Sequence, residues 1–304
     1  MLRTLKISDG KLVECVDGDA VVYIYLTPDE EERKFLVEHF KIDEHTFNSS
    51  LDPDEPSRLE FEPEHIAMIL KRPRHYVAED EFMFKVLSMG VFIFSDRLVV
   101  VLAEDIALFD GKVFNRVTSV LDIMLKLIYR AISHFVEHLK AIHRISGDLE
   151  QQINVSMENR YLLNMFTLEK SLVYFLNATH SNAALINKLK ACAAKIGFTQ
   201  ENIEFLDDIS IENTQCLGQT DIFSQVLASM MDARASIISN NLNIRIKTLT
   251  LITIAIMLPT FVVSLFSMNV RIPLSQYHGA FWIISSLAFS SALIVGFLWW
   301  RRKW

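Results

Sequence analysis

The sequence predicts an α/β domain in the cytoplasm, followed by long α-helices and a hairpin of two transmembrane helices. Two segments near its carboxyl end, residues 248–270 and 279–300, contain no charged residue. Each is long enough to cross a bilayer, which takes about 20 predominantly apolar residues. Short β-rich segments separated by turn signals make up most of residues 1–115, and apolar residues at helical spacing follow them.

Residues 1–115 are predicted to form mixed α/β structure. Pro28 is expected to open a helix that runs to about Phe40, with acidic residues in its first turn, where the helix dipole favours them. Asp-Gly pairs favour tight turns between the first strands. The predicted strands are residues 2–7, 12–16, 20–26, 65–71, 82–94 and 98–103.

The chain is predicted to be helical from residue 117 onwards. One helix covers residues 117–153 and has an apolar stripe. A second covers residues 157–195 and is capped by Gly197. Thr199 is predicted to cap a third helix, which runs to Asn269 over about 100 Å at 1.5 Å per residue.

These assignments divide the chain into seven segments. The cytoplasmic segments are an α/β domain (1–115), a helical hairpin (116–200), a stalk helix (201–247) and a basic tail (301–304). The membrane segments are a first transmembrane helix (248–270), an extracytoplasmic loop (271–278) and a second transmembrane helix (279–300).

Basic residues are distributed unevenly around the hairpin. Arg245 and Lys247 precede the first span and three basic residues follow the second, whereas the joining loop contains Arg271. Because cytoplasmic flanks carry the excess of Lys and Arg, both termini are predicted to be cytoplasmic. We therefore expect a multi-pass protein of the cell's inner membrane, in contact with the lipid bilayer.

One face of the first span is predicted to be more polar than the rest. Its members recur every three or four residues, as positions on one helix face do. They are Thr253, Met257, Thr260, Ser264 and Ser267, with Asn243, Ile246 and Thr250 extending the line. Such a line is typical of a packing seam or of a water-filled path. Since two helices cannot enclose a pore, a path would need several copies of the chain around an axis.

Charge and motif content argue against several other functions. Residues 29–64 contain 13 acidic and four basic residues, a surface that repels nucleic acid and attracts cations. The sequence has no glycine-rich phosphate loop and no Ser/His/Asp arrangement, so we predict neither an enzyme nor an organic cofactor. His134 and His138 have a spacing that can bind metal, but Phe135 stands where a zinc-protease helix has glutamate. A polar helix face is the preferred interpretation of this pair.

The end of the first span resembles a known family. Ser267-Met268-Asn269 resembles the Gly-Met-Asn signature of the CorA metal-ion transporters, which also lies at the outer end of the first of two carboxyl-terminal spans. Residues 257–261, Met-Leu-Pro-Thr-Phe, resemble the run that precedes the signature, with the proline one residue displaced. Ser239-Asn240, Asn243 and Leu249-Thr250 fall at similar spacings, and the layout of the whole chain is similar.

This resemblance implies a homopentameric, CorA-like funnel that passes divalent cations inward. Mg²⁺ is the expected ion, both transported and regulatory, with Co²⁺ or Ni²⁺ as further substrates. Asn269 and Asn243 would form rings of amides that bind the water shell of a cation, and Leu249 and Met257 would be apolar constrictions. The other pore-lining positions would be Thr253, Thr260, Ser267 and Met268.

The resemblance also implies a regulatory metal site. Asp208, beside Asp207, matches an aspartate that binds Mg²⁺ between neighbouring subunits of the family. Its partner comes from the α/β domain of the next subunit, where the candidates here are Glu79, Asp80 and Glu81. Mg²⁺ prefers such oxygen ligands.

Two departures from the family pattern leave alternatives open. Ser267 replaces glycine, and the outer loop carries Arg271 and His278 but no acidic residue. The alternatives are a zinc transporter of the same superfamily and a non-conducting, membrane-anchored sensor or scaffold. Asn269 can also be a helix cap, Leu249 can face lipid, and Asp208 can be a solvated acid.

Overall fold

The computed structural model describes residues 1–15, 20–77, 80–106, 108–155, 159–268 and 277–302. The chain separates into two compact units, Met1–Met231 and Asp232–Trp304.

The amino-terminal unit is built on a β-sheet, which comprises seven strands within the described residues. The strands are β1 (Leu2–Ser8), β2 (Lys11–Glu14), β3 (Val22–Leu26), β4 (Arg58–Phe61), β5 (Ile66–Pro73), β6 (Val86–Ile93) and β7 (Leu98–Leu102). Their order is β2-β1-β3-β7-β6-β5-β4. β3 and β7 are parallel, and the other neighbouring pairs of these described strands are antiparallel.

Both faces of the central strand β7 are buried. Because successive side chains of a strand point to opposite faces, Val99 and Val101 join one core while Leu98, Val100 and Leu102 join the other. Helices α1 (Glu30–Glu38) and α2 (Glu44–Leu51) contribute Leu36 and Phe47 to the first core. Helices α3 (Val120–Val155) and α4 (Asn159–Ala191) pack on the second.

The predicted helix boundaries between α4 and the long helix are set by local capping. α4 ends at Ala191, and a short α5 (Ala193–Ile196) ends at Gly197 in a left-handed conformation with φ +87°. Gly197 adopts this conformation without the penalty that a Cβ would bring. The Asn202 backbone N–H donates to Thr199 Oγ1 at 3.2 Å, and Thr199 Oγ1 donates to Asn202 Oδ1 at 2.9 Å. These bonds confirm Thr199 as the cap of α6 (Gln200–Phe266).

Two elements of the sheet domain were not predicted from the sequence, namely α2 and β4. α2 is rich in Ser, Thr and Asn, which are poor helix formers, and its position depends on close packing against β6. A Cβ added at Gly90 would lie 2.1 Å from Ser50 Oγ, so this approach requires glycine. The strand predicted over residues 82–94 begins only at Val86.

The second unit contains two apolar helical segments, the carboxyl-terminal part of α6 and α7 (Ala280–Arg302). Both are long and apolar enough to cross a membrane, and none of the most apolar window of α6 is buried in the single chain. Lipid or other copies of the chain must therefore cover these side chains. These features confirm the α/β domain, the long helices and the two apolar helices that the sequence predicts.

A buried amide joins α4 to the sheet. Asn182 is fully buried, and its Oδ1 accepts hydrogen bonds from Ser57 Oγ at 2.7 Å and from the Lys71 backbone N–H at 3.1 Å. Its Nδ2 donates to the Lys71 carbonyl at 3.0 Å. The pairing of β4 with β5 ends at Arg58 and Ile69. The Asn182 side chain therefore continues the hydrogen bonding of β5 where β4 no longer does.

We expect Asn182→Ala to lower the free energy of unfolding by about 2–4 kcal/mol, since it leaves buried backbone groups of Lys71 without partners. Thermal denaturation of the full-length protein in detergent, followed by circular dichroism, measures the effect. Asn177→Ala, at an exposed position of the same helix, is the matched control. Equal melting temperatures for the two variants would contradict this role of Asn182.

Candidate functional site

The predicted polar line lies on the exposed surface of α6. Thr253 Oγ1 donates to the Leu249 carbonyl at 2.9 Å, and Thr260 Oγ1 donates to the Ile256 carbonyl at 2.8 Å. Each hydroxyl thus uses its hydrogen within its own helix, while its oxygen keeps lone pairs as acceptors. These oxygens can accept hydrogen bonds from water or from the hydration shell of a cation.

Large apolar side chains accompany this polar line. Leu249 and Met257 are each 66% exposed and Met268 is 55% exposed in the single chain. Ser267 and Asn243 are also exposed. Asn269 lies outside the described residues, as do residues 270–276. The structure therefore describes every predicted pore-lining position except Asn269.

Asp208 lies on the wall of a groove of about 720 Å³ in the amino-terminal unit. Carboxylates from three elements line the same groove: Asp110 after β7, Glu137 on α3 and Glu212 one turn further along α6. Asp208 is exposed, and no described residue forms an ion pair or hydrogen bond with its carboxylate. Its oxygens are therefore available to a hard cation such as Mg²⁺.

The other acidic candidates differ in what surrounds them. The Asp207 carboxylate is 2.7 Å from Lys190 Nζ. Asp80 is nearly buried and lies 3.1 Å from the Arg74 guanidinium and 3.3 Å from Lys85 Nζ. Glu81 is exposed and has a positive φ of +45°, whereas Glu79 lies outside the described residues.

The pKa of the Asp80 carboxyl shows that its neighbours stabilise the charged form. Burial alone would raise that pKa, but hydrogen bonds from the Val77 N–H and Lys85, together with the charge of Arg74, hold it below its usual range. Two cations of the same chain therefore already neutralise this carboxylate. Of the acidic residues predicted to bind metal, Asp208 and Glu81 are the ones that the described structure leaves without an ion pair.

One chain does not hold a complete metal site in its described part. No group of three or more His, Cys, Asp or Glu residues in the described ranges is arranged to hold a metal ion. Asp208 with its groove carboxylates fits the oxygen chemistry of Mg²⁺, but further ligands would have to come from water or from another chain.

The polar helix face predicted for the histidine pair on α3 is wrong for His138, which is buried, while His134 is half-buried. The ring centroids of His134 and His138 are 4.4 Å apart, and His138 packs against Phe84 and Phe175 at 5.3 and 6.1 Å. Burial is the main cause that lowers the pKa of His134 to about 3 and that of His138 to about 4. Both imidazoles are therefore neutral at physiological pH.

The whole chain is similar to one family of known proteins. The family model described as "CorA-like Mg2+ transporter protein" matches residues 18–303. The chain is 24% identical over 293 residues to the cobalt/magnesium transport protein CorA of Methanocaldococcus jannaschii, covering 91% of this chain and 89% of that protein.

Two solved structures show the same fold. The complete structure of the CorA magnesium transporter from M. jannaschii matches with a TM-score of 0.82 and 21% identity, over 99% of this chain and 98% of that one. The structure of the full-length CmaX protein matches with a TM-score of 0.74 and 15% identity, over 100% of this chain and 97% of that one.

We expect acidification to destabilise the folded protein through the buried histidine pair. An unfolded chain protonates these imidazoles near pH 6.5, whereas folded His138 does so only near pH 4. The unfolded state therefore binds more protons between these values, and stability falls as the pH falls, by up to about 1.4 kcal/mol per pH unit for one such group.

His138→Gln should flatten this dependence when the melting temperature is measured across that pH range in phosphate-free buffer. His45→Gln, at an exposed position on α2, is the control and should keep the wild-type slope. A wild-type slope in His138→Gln would show that other groups govern acid sensitivity.

Proposed function

The chain belongs to the family of CorA-like Mg²⁺ transporter proteins, and we propose that it forms a channel for passive influx of divalent cations, above all Mg²⁺. The observation that carries the proposal is the line of hydroxyl oxygens on an otherwise apolar, exposed membrane segment of α6. Co²⁺ and Ni²⁺ are further candidate substrates. No catalytic reaction and no organic cofactor belong to this proposal.

The channel would be a homopentamer in the inner membrane with both termini in the cytoplasm. Two apolar helices per chain cannot enclose a path, so several chains must surround one axis. The number five comes from the family. In such a ring the polar line that includes Thr253 and Thr260 would face the axis, and the remaining apolar surface would face lipid or neighbouring chains.

A partly hydrated ion suits the chemistry of this path. Mg²⁺ gives up its waters reluctantly, and hydroxyl oxygens together with the Asn269 amide would accept hydrogen bonds from those waters without trapping the ion by a fixed charge. Leu249 and Met257 would form apolar constrictions that exclude water when the path is closed. A membrane potential of 100 mV contributes about 4.6 kcal/mol for a divalent ion, so inward movement needs no nucleotide hydrolysis.

Intracellular Mg²⁺ would regulate the channel at Asp208. Asp208 and Glu212 lie one turn apart on α6 along the groove, and a bound divalent cation would cancel the repulsion between their carboxylates. Because the transported ion would bind the closed state better, the coupling is negative feedback. Glu81 of a neighbouring chain is the best candidate for a second ligand, since Asp80 is paired within its own chain.

Zinc transport is the second candidate function. His278 lies just outside the second span, and Zn²⁺ accepts nitrogen ligands that Mg²⁺ does not favour. Ion flux into liposomes that contain the purified protein, measured with Mg²⁺, Co²⁺, Ni²⁺ and Zn²⁺ in competition, tests both candidates. Absence of flux for every ion would favour a membrane-anchored sensor or scaffold and would contradict the channel.

We predict that Asn269→Ala abolishes Mg²⁺ influx in this liposome assay, because the substitution removes a ring of amides and little buried area. Gln276→Ala removes an amide from the predicted outer loop and should leave influx unchanged. Native mass measurement checks that both variants assemble like the wild type. If the Asn269→Ala variant showed the same Mg²⁺ influx as the wild type, Asn269 would be a helix cap and not part of the ion path.

We also predict that Asp208→Asn weakens protection by Mg²⁺ against limited proteolysis of the segment 201–232. The Mg²⁺ concentration needed for half protection should rise at least about tenfold, or about 1.4 kcal/mol of binding free energy. Asp207→Asn is the matched control, because the Asp207 carboxylate is already paired with Lys190. Identical protection of wild type and Asp208→Asn would remove Asp208 from the regulatory site.

A further inference from the structure

A second cavity, of about 660 Å³, lies in the amino-terminal unit. Its wall combines Arg72 of β5 and His75, which follows that strand, with His134 and His138 of α3. Asp110, Arg130 and Glu137 line both this cavity and the groove around Asp208. The arginine and the three histidines do not line the groove, and the proposed cation transport does not use them.

Arg72 is a buried cation without a counter-ion among the described residues. Its side chain is fully buried, and it donates to the carbonyls of Pro73 at 3.2 Å and Glu104 at 3.4 Å. Among the residues that the structure describes, none forms a hydrogen bond with its Nε and no carboxylate lies within ion-pair distance. Burial lowers the pKa of Arg72 to about 10, although the charge of Glu104 opposes that shift. A guanidinium in this position remains charged and gains from an anion nearby.

His134 lies in positive surroundings, whereas His138 is affected by the carboxylate of Glu137 as well as by His75. Each charged group found to act on His134 carries or can carry positive charge: Arg72, Arg130, His75 and His138. His138 is 9% exposed, and its buried Nδ1 has no hydrogen-bond partner in the described part of the chain. A neutral imidazole carries one N–H, so His138 can donate one hydrogen bond to an anion while it stays uncharged.

Most acidic groups of the wall are already paired. The Glu137 carboxylate is 3.0 Å from the Arg130 guanidinium, and Asp105 binds Arg3 through two hydrogen bonds of 2.6 and 3.1 Å. Asp110 is exposed to solvent, which screens its charge. A cation would meet Arg72 and Arg130, and no cluster of three ligands in the described part of the chain could hold it. The cavity therefore favours an anion.

We propose that this cavity binds a phosphate group, as inorganic phosphate or as the terminal phosphate of a nucleotide, through Arg72, His134 and His138. A planar guanidinium matches the geometry of phosphate oxygens, and hydrogen bonds in which the donor or the acceptor is charged are about twice as strong as neutral ones. The bound phosphate supplies the counter-charge that Arg72 lacks. The cavity is larger than one phosphate group, so it has room for either ligand, and the experiment distinguishes them.

The test is equilibrium dialysis of the full-length protein in detergent and chloride buffer, with radiolabelled inorganic phosphate in one arm and labelled ATP in the other. A chelator removes divalent cations, so that ATP cannot bind through metal at Asp208. Wild type should bind one equivalent per chain with saturation. Binding in both arms identifies the phosphate group itself as the ligand, and binding of ATP alone identifies a nucleotide.

His134→Gln and Arg72→Met should each weaken binding at least about tenfold, the effect of losing one charge-assisted hydrogen bond. Arg97→Gln, which removes an arginine paired with Asp96 outside the cavity, should stay within about twofold of wild type. His134→Gln keeps the test valid if Arg72→Met does not fold. Absence of saturable binding, or equal binding by wild type and His134→Gln, would overturn the proposal. Binding of Ni²⁺ in a separate dialysis without chelator, if it is lost in His134→Gln, would also overturn it, because the cavity would then be a metal site.

Discussion

The backbone of a membrane span must form its hydrogen bonds within the protein, because the bilayer core contains no water. The proposed channel depends on this constraint. α6 meets it as a continuous helix from Gln200 to Phe266. The hydroxyls of Thr253 and Thr260 donate to carbonyls of the same helix, so their polarity is compatible with the membrane while their oxygens stay available. Pro259, inside the helix, removes one backbone donor in the same stretch, next to Thr260.

Satisfied hydrogen bonds do not cover the apolar surface of this span. Leu249 and Met257 remain largely exposed in the single chain, so lipid or further copies of the chain must cover them. Both interpretations of the polar line, a packing seam and a water-filled path, require neighbouring helices beside this span. In a closed ring of chains one side of each helix faces the axis, which is why the polar line and the assembly belong to one proposal.

The amino-terminal unit buries its surface within one chain. β7 has cores on both of its faces, and Asn182 satisfies the backbone of β5 where pairing with β4 ends. In such an interior, polar atoms without partners are informative because each has a cost of about 1–3 kcal/mol. The Nε of Arg72 and the Nδ1 of His138 are two such atoms on the wall of one cavity, and a bound anion would account for both.

Carboxylates that look equivalent in the sequence have different surroundings in the fold. Asp207 and Asp208 are neighbours, yet Asp207 is paired with Lys190, whereas Asp208 lies on the groove without an ion pair to any described residue. Asp80 is neutralised by Arg74 and Lys85, and the adjacent Glu81 is exposed. Each pairing depends on the direction of a side chain and on a cation brought near by packing, so no sequence pattern could distinguish these residues.

The sequence by itself determined the features that depend on neighbouring residues. The two apolar helices, the length of α6 and the caps at Gly197 and Thr199 follow from composition, helical spacing and residues at most a few positions apart. The membership in the CorA family also rested on short motifs and their order.

Only the tertiary structure decided the features that depend on distant residues. α2 needs Gly90 of β6 beneath it, and the Asn182 amide completes hydrogen bonds with Lys71, 111 residues away in the chain. The sequence predicts a polar helix face for His134 and His138, but the rings of Phe84 and Phe175 pack against His138, and burial keeps both imidazoles neutral. Burial and charge at such positions are set by residues that only folding brings together, and local patterns do not encode them.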